Sequence, residues 1–500
     1  MKERTSPKHR KSRNGLAITV LVLFMAAGCS CQRSATLERA DIILLNIETL
    51  RSDVVGAYGS PMGWTPSIDD IASRGVLVEQ SYTVASWTRP SVAALFTGLY
   101  PARTRAVLQG ETAETGLPQS AVTLAELLSA AGYRTLGLVT NSNLAPELGF
   151  GQGFDTYKYL PVEKAANLNA LAVEWLRQVR SHGEGSPVFI YIHYVEPHEA
   201  YGHAPFHSKV RGKQRAEMID AVAKLTLAEK LGAVEVYGRF VREVDRAVGE
   251  LIHRIDGLLL TNHIVIVTAD HGEEWGDHGG LFHGHTLHRE LVSVPLILSG
   301  KGLAARRLAG PVRNIDILPT LCELSGIEKP VDVDGMSFAG ALKTGGWEFP
   351  SRVFFETDFA RPLDAVLTDG FKLIRERETG RVLLYDVGAD AAELVDRSAD
   401  YPEVARQLTD LVLQHRRRME RTALPPEASG ELTRAQRQAL LKRLRSLGYL
   451  SPSFKQRRTS PLPRGKPENW VLLYREYRTG SRSDDDFVDV RPVPLSGRSE

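Results

Sequence analysis

Short, densely apolar runs recur along this chain, and segments with helical periodicity separate them. The runs are Asp41–Ile47, Arg134–Thr140, Pro187–His193, His263–Thr268 and Val294–Ser299. Because their apolar residues are nearly continuous, the runs are typical of strands that are buried on both faces. Such strands in alternation with helices predict an α/β fold with a largely parallel sheet and helices on both faces.

Polar side chains follow these runs at the point where each predicted strand ends. Glu48 comes directly after the first run, and Asn141 comes directly after the second. His198 follows the third run, and Asp270 and His271 follow the fourth. Ligands of open α/β sheets bind outside the carboxyl ends of the strands. We therefore expect these side chains to form one site.

The stretch Ser86–Pro101 predicts a short buried helix near this site. Pro90 is favoured in the first turn of a helix, and Gly98 marks its end. Thr88 and Arg89 then lie at the helix N-terminus, where free N–H groups and the helix dipole attract anions. On its own the stretch predicts an ordinary helix. Beside the strand ends, Thr88 becomes a candidate nucleophile and Arg89 a candidate contact for an anionic substrate.

Carboxylate, hydroxyl and imidazole groups at these positions suit a divalent cation. The predicted ligands are Glu48, Thr88, Asp270 and His271. A bound cation would lower the pKa of the Thr88 hydroxyl and favour its attack on an ester, while His198 and His283 would supply positive charge or protons to the leaving oxygen. We expect one ion of Mn²⁺, Zn²⁺ or Ca²⁺. The imidazole ligand favours Mn²⁺ or Zn²⁺, because Ca²⁺ prefers oxygen ligands.

A second region follows the predicted main domain, which spans residues 40–345. Its short apolar runs are Arg352–Glu356, Leu363–Thr368, Lys372–Arg375 and Val382–Asp386. They predict a small antiparallel sheet with a helix over Pro402–Arg421, in a C-terminal subdomain of residues 346–450. Residues 451–500 are rich in Arg, Pro, Ser and Asp, so we expect a mostly disordered tail.

The N-terminus has the pattern of an export sequence. Basic residues precede the apolar run Leu16–Met25, and small residues then lead to Cys29. This order predicts a signal peptide at residues 1–28. It also resembles a bacterial lipobox, which implies cleavage before a lipid-modified Cys29 and a tether at residues 29–39. A plain signal peptide or an uncleaved anchor is the alternative. We expect an exported bacterial lipoprotein that faces the periplasm or the cell exterior.

The overall charge gives no reason to expect a nucleic-acid partner. The chain has 62 Lys and Arg residues against 60 Asp and Glu residues, which is a formal net charge of +2. Proteins that bind nucleic acids present an excess of positive charge. We expect instead a small-molecule, lipid or glycan ester as the substrate, and a membrane that holds the lipid anchor.

The order of motifs along residues 41–415 resembles the sulfatase family of the alkaline phosphatase superfamily. The matching motifs are Ile47–Asp53, Gly56–Gly59, Thr88–Pro101, Gly132–Thr135, Gly153–Asp155, Glu196–His198, Thr268–Glu273, His283–Leu287, Val294–Ile297, Asn314–Thr320 and Leu383–Asp386. Each motif alone is weak, but the combination is specific. The resemblance implies an alkaline-phosphatase-like α/β/α sandwich with a mainly parallel central sheet and a small C-terminal antiparallel sheet. It also implies an enzyme that cleaves sulfate or phosphate esters.

This chain departs from the sulfatase pattern at the nucleophile and at the ligands. Sulfatases carry a Cys or Ser that is oxidised to formylglycine where this chain has Thr88, and an Arg where it has Val92. We therefore expect no formylglycine. Glu48 and Thr49 stand where the family usually has Asp residues, and His271 stands where it often has Asn. The resulting set is similar to that of single-metal phosphotransferases with a Thr nucleophile.

The leading hypothesis is a metal-dependent ester hydrolase with Thr88 as the nucleophile and with Asn141 and Arg89 as substrate contacts. A phosphotransferase that acts on a lipid or glycan is one alternative, and a binding module without turnover is another. A two-metal phosphodiesterase is a further alternative. Its second ion would take ligands from a set of Glu and His residues, namely Glu196, His198, His203, His278, His283 and His285.

Overall fold

The computed structural model describes residues 39–107, 116–161, 163–182, 185–210, 221–222, 224–260, 262–345, 350–359, 361–368, 370–425, 438, 442 and 470–479. The predicted signal peptide, Cys29 and almost all of the predicted tether lie outside these residues, so they stay predictions. Within the described residues, no helix combines the length and the hydropathy that are needed to cross a membrane.

The strands and helices alternate through the first part of the chain, as predicted. In chain order the strands are β1 (Asp41–Ile47), β2 (Val76–Tyr82), β3 (Arg134–Val139), β4 (Thr156–Tyr159), β5 (Val188–Tyr194), β6 (His263–Thr268), β7 (Glu274–Trp275), β8 (Leu281–Phe282), β9 (Leu296–Gly300), β10 (Arg306–Arg313), β11 (Arg352–Thr357), β12 (Leu363–Thr368), β13 (Phe371–Glu376) and β14 (Val382–Asp386). The described helices are α1 (Pro66–Ser73), α2 (Thr88–Thr97), α3 (Pro101–Thr104), α4 (Leu124–Ala130), α5 (Ala165–Ser181), α6 (Ala200–His203), α7 (His207–Val210), α8 (Leu227–Ile255), α9 (Arg289–Val292), α10 (Ile317–Leu324), α11 (Ala339–Thr344), α12 (Pro402–Arg421) and α13 (Trp470–Thr479).

The main sheet is 8-stranded, in the order β10-β2-β9-β6-β1-β5-β3-β4. Strand β9 runs antiparallel to β2 and β6, and the other neighbouring pairs are parallel. Strand β1 is buried along its whole length. Its residues Ile43 and Leu45 pack into one apolar cluster, whereas Ile42 and Leu44 pack into another. Both faces of the sheet are therefore covered, and the predicted α/β/α sandwich with a mainly parallel sheet is confirmed.

A smaller antiparallel sheet follows in the C-terminal part of the chain. Its strands lie in the order β11-β12-β13-β14, and each pairs with the next in antiparallel fashion. Helix α12 covers one face, where its residues Leu408 and Val412 pack against Val366 and Leu384. This arrangement confirms the predicted C-terminal sheet and its helix.

Helix α13 lies inside the tail that we expected to be mostly disordered. Trp470 is only 1% exposed, and Tyr474 is 4% exposed. Both belong to the apolar cluster that also contains residues of α8. Gly276 allows this packing: it has a φ of +77°, and a Cβ atom there would lie 2.2 Å from Nε1 of Trp470. The apolar side chains of this short helix are buried in the core, although the sequence around the helix is polar.

Helix α2 confirms the helix that was predicted within Ser86–Pro101. It begins at Thr88, and every one of its residues is buried. It ends at Gly98, which adopts the left-handed conformation with a φ of 68°. Trp87, the residue before the helix, is extended, and its side chain makes no capping hydrogen bond.

Candidate active site

The register of the main sheet brings the predicted ligands to one edge. Asn46 of β1 is paired with Thr268 of β6 on one side and with His193 of β5 on the other. Glu48 lies two residues beyond Asn46, and Asp270 lies two residues beyond Thr268, so each carboxylate follows the end of one of two neighbouring parallel strands. Because the carboxyl ends of parallel strands share an edge, the two carboxylates meet there, as the sequence predicted.

Thr88 contacts this cluster through its hydroxyl group. Its Oγ1 atom lies 3.2 Å from Oε1 of Glu48 and 3.2 Å from Nε2 of His271. Nδ1 of His271 lies 2.8 Å from the carbonyl oxygen of Gly272. Since a carbonyl oxygen can only accept, Nδ1 carries the hydrogen and Nε2 presents a lone pair to Thr88. The hydroxyl thus faces a carboxylate oxygen and an imidazole lone pair.

The residues at this position fit a divalent cation. Glu48, Asp270 and His271 offer ligand atoms that all lie within 4.8 Å of one another, and all three are buried. Oε2 of Glu48 and Oδ2 of Asp270 have no hydrogen-bond partner among the described side chains. Buried oxygens of carboxylates need a cationic or hydrogen-bonding partner. The set therefore suits a metal ion.

Burial and neighbouring charges set the protonation of the site. Burial, together with the charge of Asp270, raises the pKa of Glu48 well above its usual value. Burial also lowers the pKa of His271 to about 4 and that of His283 to about 3, so both imidazoles are neutral near pH 7. Burial alone would raise the pKa of Asp270, but the neighbouring His271 and His193 hold it below its usual value. Asp270 is thus the carboxylate that is favoured in its ionised form.

The predicted substrate contacts lie beside the cluster. Nδ2 of Asn141 donates to Oε1 of Glu48 at 2.5 Å and lies 3.5 Å from Oγ1 of Thr88. Arg89 is fully buried, and its Nη2 donates to Oδ1 of Asn143 at 3.0 Å. Both side chains are therefore placed at the N-terminal end of α2, where an anionic group would bind.

The predicted histidines also lie at the cluster. The ring centre of His283 is 4.4 Å from that of His271 and 5.1 Å from that of His198. Nε2 of His198 lies 3.9 Å from Oε1 of Glu48. Burial, followed by the proximity of His283, lowers the pKa of His198 well below its usual value. All of the predicted catalytic, metal and substrate residues are thus brought together.

Glu273 is a site residue to which the sequence analysis assigned no role. Its Oε1 lies 3.0 Å from Nδ1 of His283, and the carboxylate is fully buried. This contact fixes the ring of His283 through one nitrogen. The motif Asp270–Glu273 was recognised as a unit, but the partner of its last residue depends on a side-chain direction that spacing alone does not reveal.

Arg51 holds the segment that carries Glu273. Its guanidinium forms a bidentate pair with Asp277, with distances of 2.8 and 2.9 Å, and it also donates to the carbonyl oxygen of Glu273 at 3.0 Å. A second carboxylate, Asp53, pairs with the same group. The loop after β1 is thereby fastened to the loop after β6. Arg51 thus has a structural role in holding the site together.

The residues proposed for a second metal ion fall into separate groups, because His198 and His283 lie at the Thr88 cluster whereas His278 and His285 pair with glutamates. His285 pairs with Glu274, and His278 pairs with Glu290 at 2.9 Å and stacks on His288. The rings of His278 and His288 are 3.6 Å apart and nearly parallel, at 5°. Lone pairs in parallel rings point side by side rather than at a common ion. His278, His288 and Glu290 nevertheless form a second group that could hold a cation, and His278 is the one member that was proposed for a second ion.

Comparisons with known proteins agree with this geometry. The family profile described as Sulfatase matches residues 40–327. Delta 4,5-hexuronate-2-O-sulfatase of Bacteroides thetaiotaomicron is 24% identical over 424 residues, which cover 75% of this chain and 87% of that protein.

Solved structures show the same fold. A 2-O GAG sulfatase superposes with a TM-score of 0.65 at 21% identity, over 77% of this chain and 93% of that one. The phosphonate monoester hydrolase of Agrobacterium radiobacter superposes with a TM-score of 0.63 at 20% identity, over 76% of this chain and 96% of that one. The predicted alkaline-phosphatase-like fold is confirmed, and the chain belongs to the sulfatase family of ester hydrolases.

Proposed function

We propose that this chain hydrolyses a sulfate or phosphate ester by nucleophilic attack of Thr88. One observation carries the proposal: Oγ1 of Thr88 lies 3.2 Å from both Oε1 of Glu48 and Nε2 of His271, in a fully buried cluster. A hydroxyl group that faces a carboxylate and a neutral imidazole is placed to lose its proton. The proposal requires no formylglycine.

The N-terminus of α2 would bind the anionic part of the ester. The helix dipole favours a negative group there, and Trp87, the residue before the helix, makes no capping hydrogen bond. Arg89 and Asn141 flank the same position. These groups would hold the sulfuryl or phosphoryl oxygens while Thr88 approaches the central atom.

Glu48, Thr88, Asp270 and His271 would hold one divalent cation. When it is bound, the ion would lower the pKa of the Thr88 hydroxyl and offset the charge of the reacting oxygens. The donor set contains carboxylate, hydroxyl and imidazole groups. Such a mixed set favours Mn²⁺ or Zn²⁺ over Ca²⁺.

The reaction would proceed in two displacements. Oγ1 of Thr88 forms a bond to sulfur or phosphorus, and its proton passes to the facing Oε1 of Glu48, which a bound cation would keep ionised despite its raised pKa. The bond to the leaving oxygen breaks with its electron pair, and this oxygen takes a proton from Nε2–H of His283, beside His198. Glu273, whose pKa burial raises well above its usual value, passes its own proton to Nδ1 of the same ring.

Water then attacks the Thr88 ester, and one of its protons returns through His283 to Glu273. Glu48 gives its proton back to Oγ1 of Thr88 as the bond to sulfur or phosphorus breaks, which releases sulfate or phosphate and restores the hydroxyl group.

A sulfated saccharide is the first substrate class to test. The relative from Bacteroides thetaiotaomicron is a hexuronate 2-O-sulfatase, and a 2-O GAG sulfatase shares the fold. Thr88 and Val92 depart from the sulfatase pattern, and a phosphonate monoester hydrolase shares the fold as well. Phosphate esters, including those of lipids and glycans, therefore belong in the same substrate panel.

We also propose that the enzyme is exported and anchored to a membrane through lipid on Cys29. The basic, apolar and small-residue segments of residues 1–28 support this location. The test is membrane fractionation of cells that express the Cys29→Ala variant. Release of the variant from the membrane fraction is expected, and unchanged association would contradict the lipid anchor.

Steady-state kinetics of Thr88→Ala test the catalytic proposal. The variant should lose on the order of 10³-fold or more of the turnover of an aryl sulfate and an aryl phosphodiester. Thr97→Ala is the matched control, since Thr97 is a buried threonine at the other end of α2. Activity of Thr88→Ala equal to that of the control would refute the proposal. Product formed on an added alcohol in preference to water would identify a transferase instead.

A further inference from the structure

The C-terminal sheet reaches the active site through the end of its edge strand, β11. The N–H group of Glu356 donates to the carbonyl oxygen of Val84 at 2.9 Å, and Ala85 forms a parallel β-bridge with Glu356. Residues 84–86 lead directly into helix α2 and Thr88. The backbone that precedes the proposed nucleophile is therefore paired with the C-terminal sheet.

The same strand end also holds the segment that follows His283. Thr357 is buried, and its Oγ1 donates to the carbonyl oxygen of Gly284 at 3.0 Å. The N–H group of Gly284 donates to the carbonyl oxygen of Ser86 at 2.8 Å. The peptide groups on both sides of Gly284 are thus fixed, one by Ser86 and the other by Thr357. These two bonds join the segment before Thr88 to the segment after His283.

Gly284 makes this support necessary, because glycine restricts the backbone less than any other residue. It has a φ of +76°, and a Cβ atom there would lie 2.6 Å from Cδ1 of Phe359. Phe359 packs in turn on Trp87, the residue before Thr88, with ring centres 5.2 Å apart. The turn after His283 therefore takes its shape from contacts with neighbouring segments rather than from its own backbone preference.

Thr357 is itself anchored within the small sheet. It pairs with Leu363 of β12, and its carbonyl oxygen accepts a hydrogen bond from Nη2 of Arg377 at 2.9 Å. A side chain on a regular strand holds a partner more precisely than one on a loop. Thr357 can therefore act as a fixed point for the turn at Gly284.

Glu273 alone does not fix the place of His283. Its Oε1 lies 3.0 Å from Nδ1 of the ring, so it sets the rotation of the imidazole. The distance from this ring to the ester on Thr88 depends in addition on the backbone that carries each residue. A displacement of about 1 Å in such a site can lower the rate by about 10²-fold.

We propose that Thr357 is a positioning residue that holds His283 at the leaving oxygen while Thr88 attacks. The inference rests on the proposed function and gives the C-terminal sheet a part in catalysis. Thr357 itself neither receives nor donates the transferred proton. Its hydroxyl group acts through Gly284, whose backbone determines where the imidazole of His283 lies.

Thr357→Val tests this role, because valine keeps the shape of threonine without the hydroxyl group. It should lower kcat by about 10-fold and change KM by less than about twofold. The loss should be larger for alkyl esters than for aryl esters, since a poorer leaving group depends more on the proton. Thr357→Ser keeps the hydroxyl group and should restore kcat. Thr409→Val is the control, because Oγ1 of Thr409 bonds to the carbonyl oxygen of Ala405 within α12.

A double-mutant cycle with His283→Ala separates positioning from a general structural role. In a protein without this imidazole, Thr357→Val should cause no further loss of kcat on an aryl ester. Far-UV circular dichroism checks folding, and Thr357→Ala replaces the valine variant if that variant does not fold. A loss of kcat that is equal with and without His283, or equal for every leaving group, would overturn the inference.

Failure of this inference is distinguishable from failure of the proposed function. An inactive Thr88→Ala together with wild-type kinetics of Thr357→Val would overturn the positioning role alone. A Thr88→Ala variant that keeps its activity would remove the nucleophile, and with it the reaction that Thr357 is proposed to support.

Discussion

Nδ1 of His283 lies 3.0 Å from Oε1 of Glu273, and both side chains are buried beside Thr88 and His271. The carboxylate holds one nitrogen of the ring, so the other nitrogen is fixed toward the site. This arrangement makes Glu273 a positioning residue for the proton transfer that we propose for His283.

Glu273→Gln should therefore lower kcat by about 10²-fold with a smaller change in KM, because the ring of His283 loses its fixed orientation. The loss should grow as the leaving group becomes a poorer one, since proton delivery matters most there. Kinetics on aryl and alkyl esters measure this dependence. Glu243→Gln, on the exposed face of α8, is the control. An equal loss for every leaving group would assign Glu273 a purely structural role.

The pH profile of kcat/KM should show no loss of activity at the usual pKa of histidine. Burial lowers the pKa of His271 to about 4 and that of His283 to about 3, so both stay neutral as the pH falls from 8 to about 5. Activity should decline only as the pH approaches 4, where His271 gains a proton and loses its lone pair. Circular dichroism at each pH separates this effect from unfolding. An inflection near pH 6.5 in the folded enzyme would contradict the prediction.

His278→Gln should destabilise the protein more at pH 6 than at pH 9.5. Burial disfavours a charge on His278, but Glu290 outweighs this effect and raises the pKa to about 10. A raised pKa stabilises the folded state fully below the unfolded value of about 6.5, and this contribution is lost as the pH rises toward 10. Thermal unfolding at both pH values measures the difference, with His253→Gln as the control. A decrease in Tm that does not depend on pH would contradict it.

Trp470→Ala should lower the free energy of unfolding by about 3–5 kcal/mol, the usual effect of removing a large buried aromatic side chain. Leu472→Ala is the control on the same helix, because Leu472 is 47% exposed; it should change stability by less than about 0.5 kcal/mol. Urea unfolding measures both variants. Equal effects would show that α13 does not stabilise the domain in the way that its packing indicates.

The sheet could be predicted where its strands are buried on both faces. Strands β1, β5 and β6 are continuous apolar runs, so burial alone identified them. Strands β2, β4 and β10 were not predicted, since β2 has exposed residues and β4 and β10 lie at the edges of the sheet. Edge strands need fewer apolar residues, and their sequences differ little from those of loops. The tail helix α13 was missed because its short apolar stretch is surrounded by polar residues.

The members of the site could be predicted, but not all of their contacts. Glu48, Asp270 and His271 follow buried strands, and a parallel sheet brings such residues together without further information. The contacts of Glu273 and His193 depend on the direction of each side chain after it leaves the backbone. Sequence spacing does not contain that direction. For the same reason the sequence does not reveal that His278 lies with Glu290 and His288, in a group that could hold a cation, or that His285 pairs with Glu274.

Mass spectrometry of the acid-quenched enzyme tests the role of Thr88 most directly. Wild-type protein that is turning over an aryl sulfate or aryl phosphodiester should yield a peptide with a sulfuryl or phosphoryl group on Thr88, and Thr88→Ala should yield none. Active wild-type enzyme in which Thr88 stays unmodified, or in which another residue carries the group, would contradict the account.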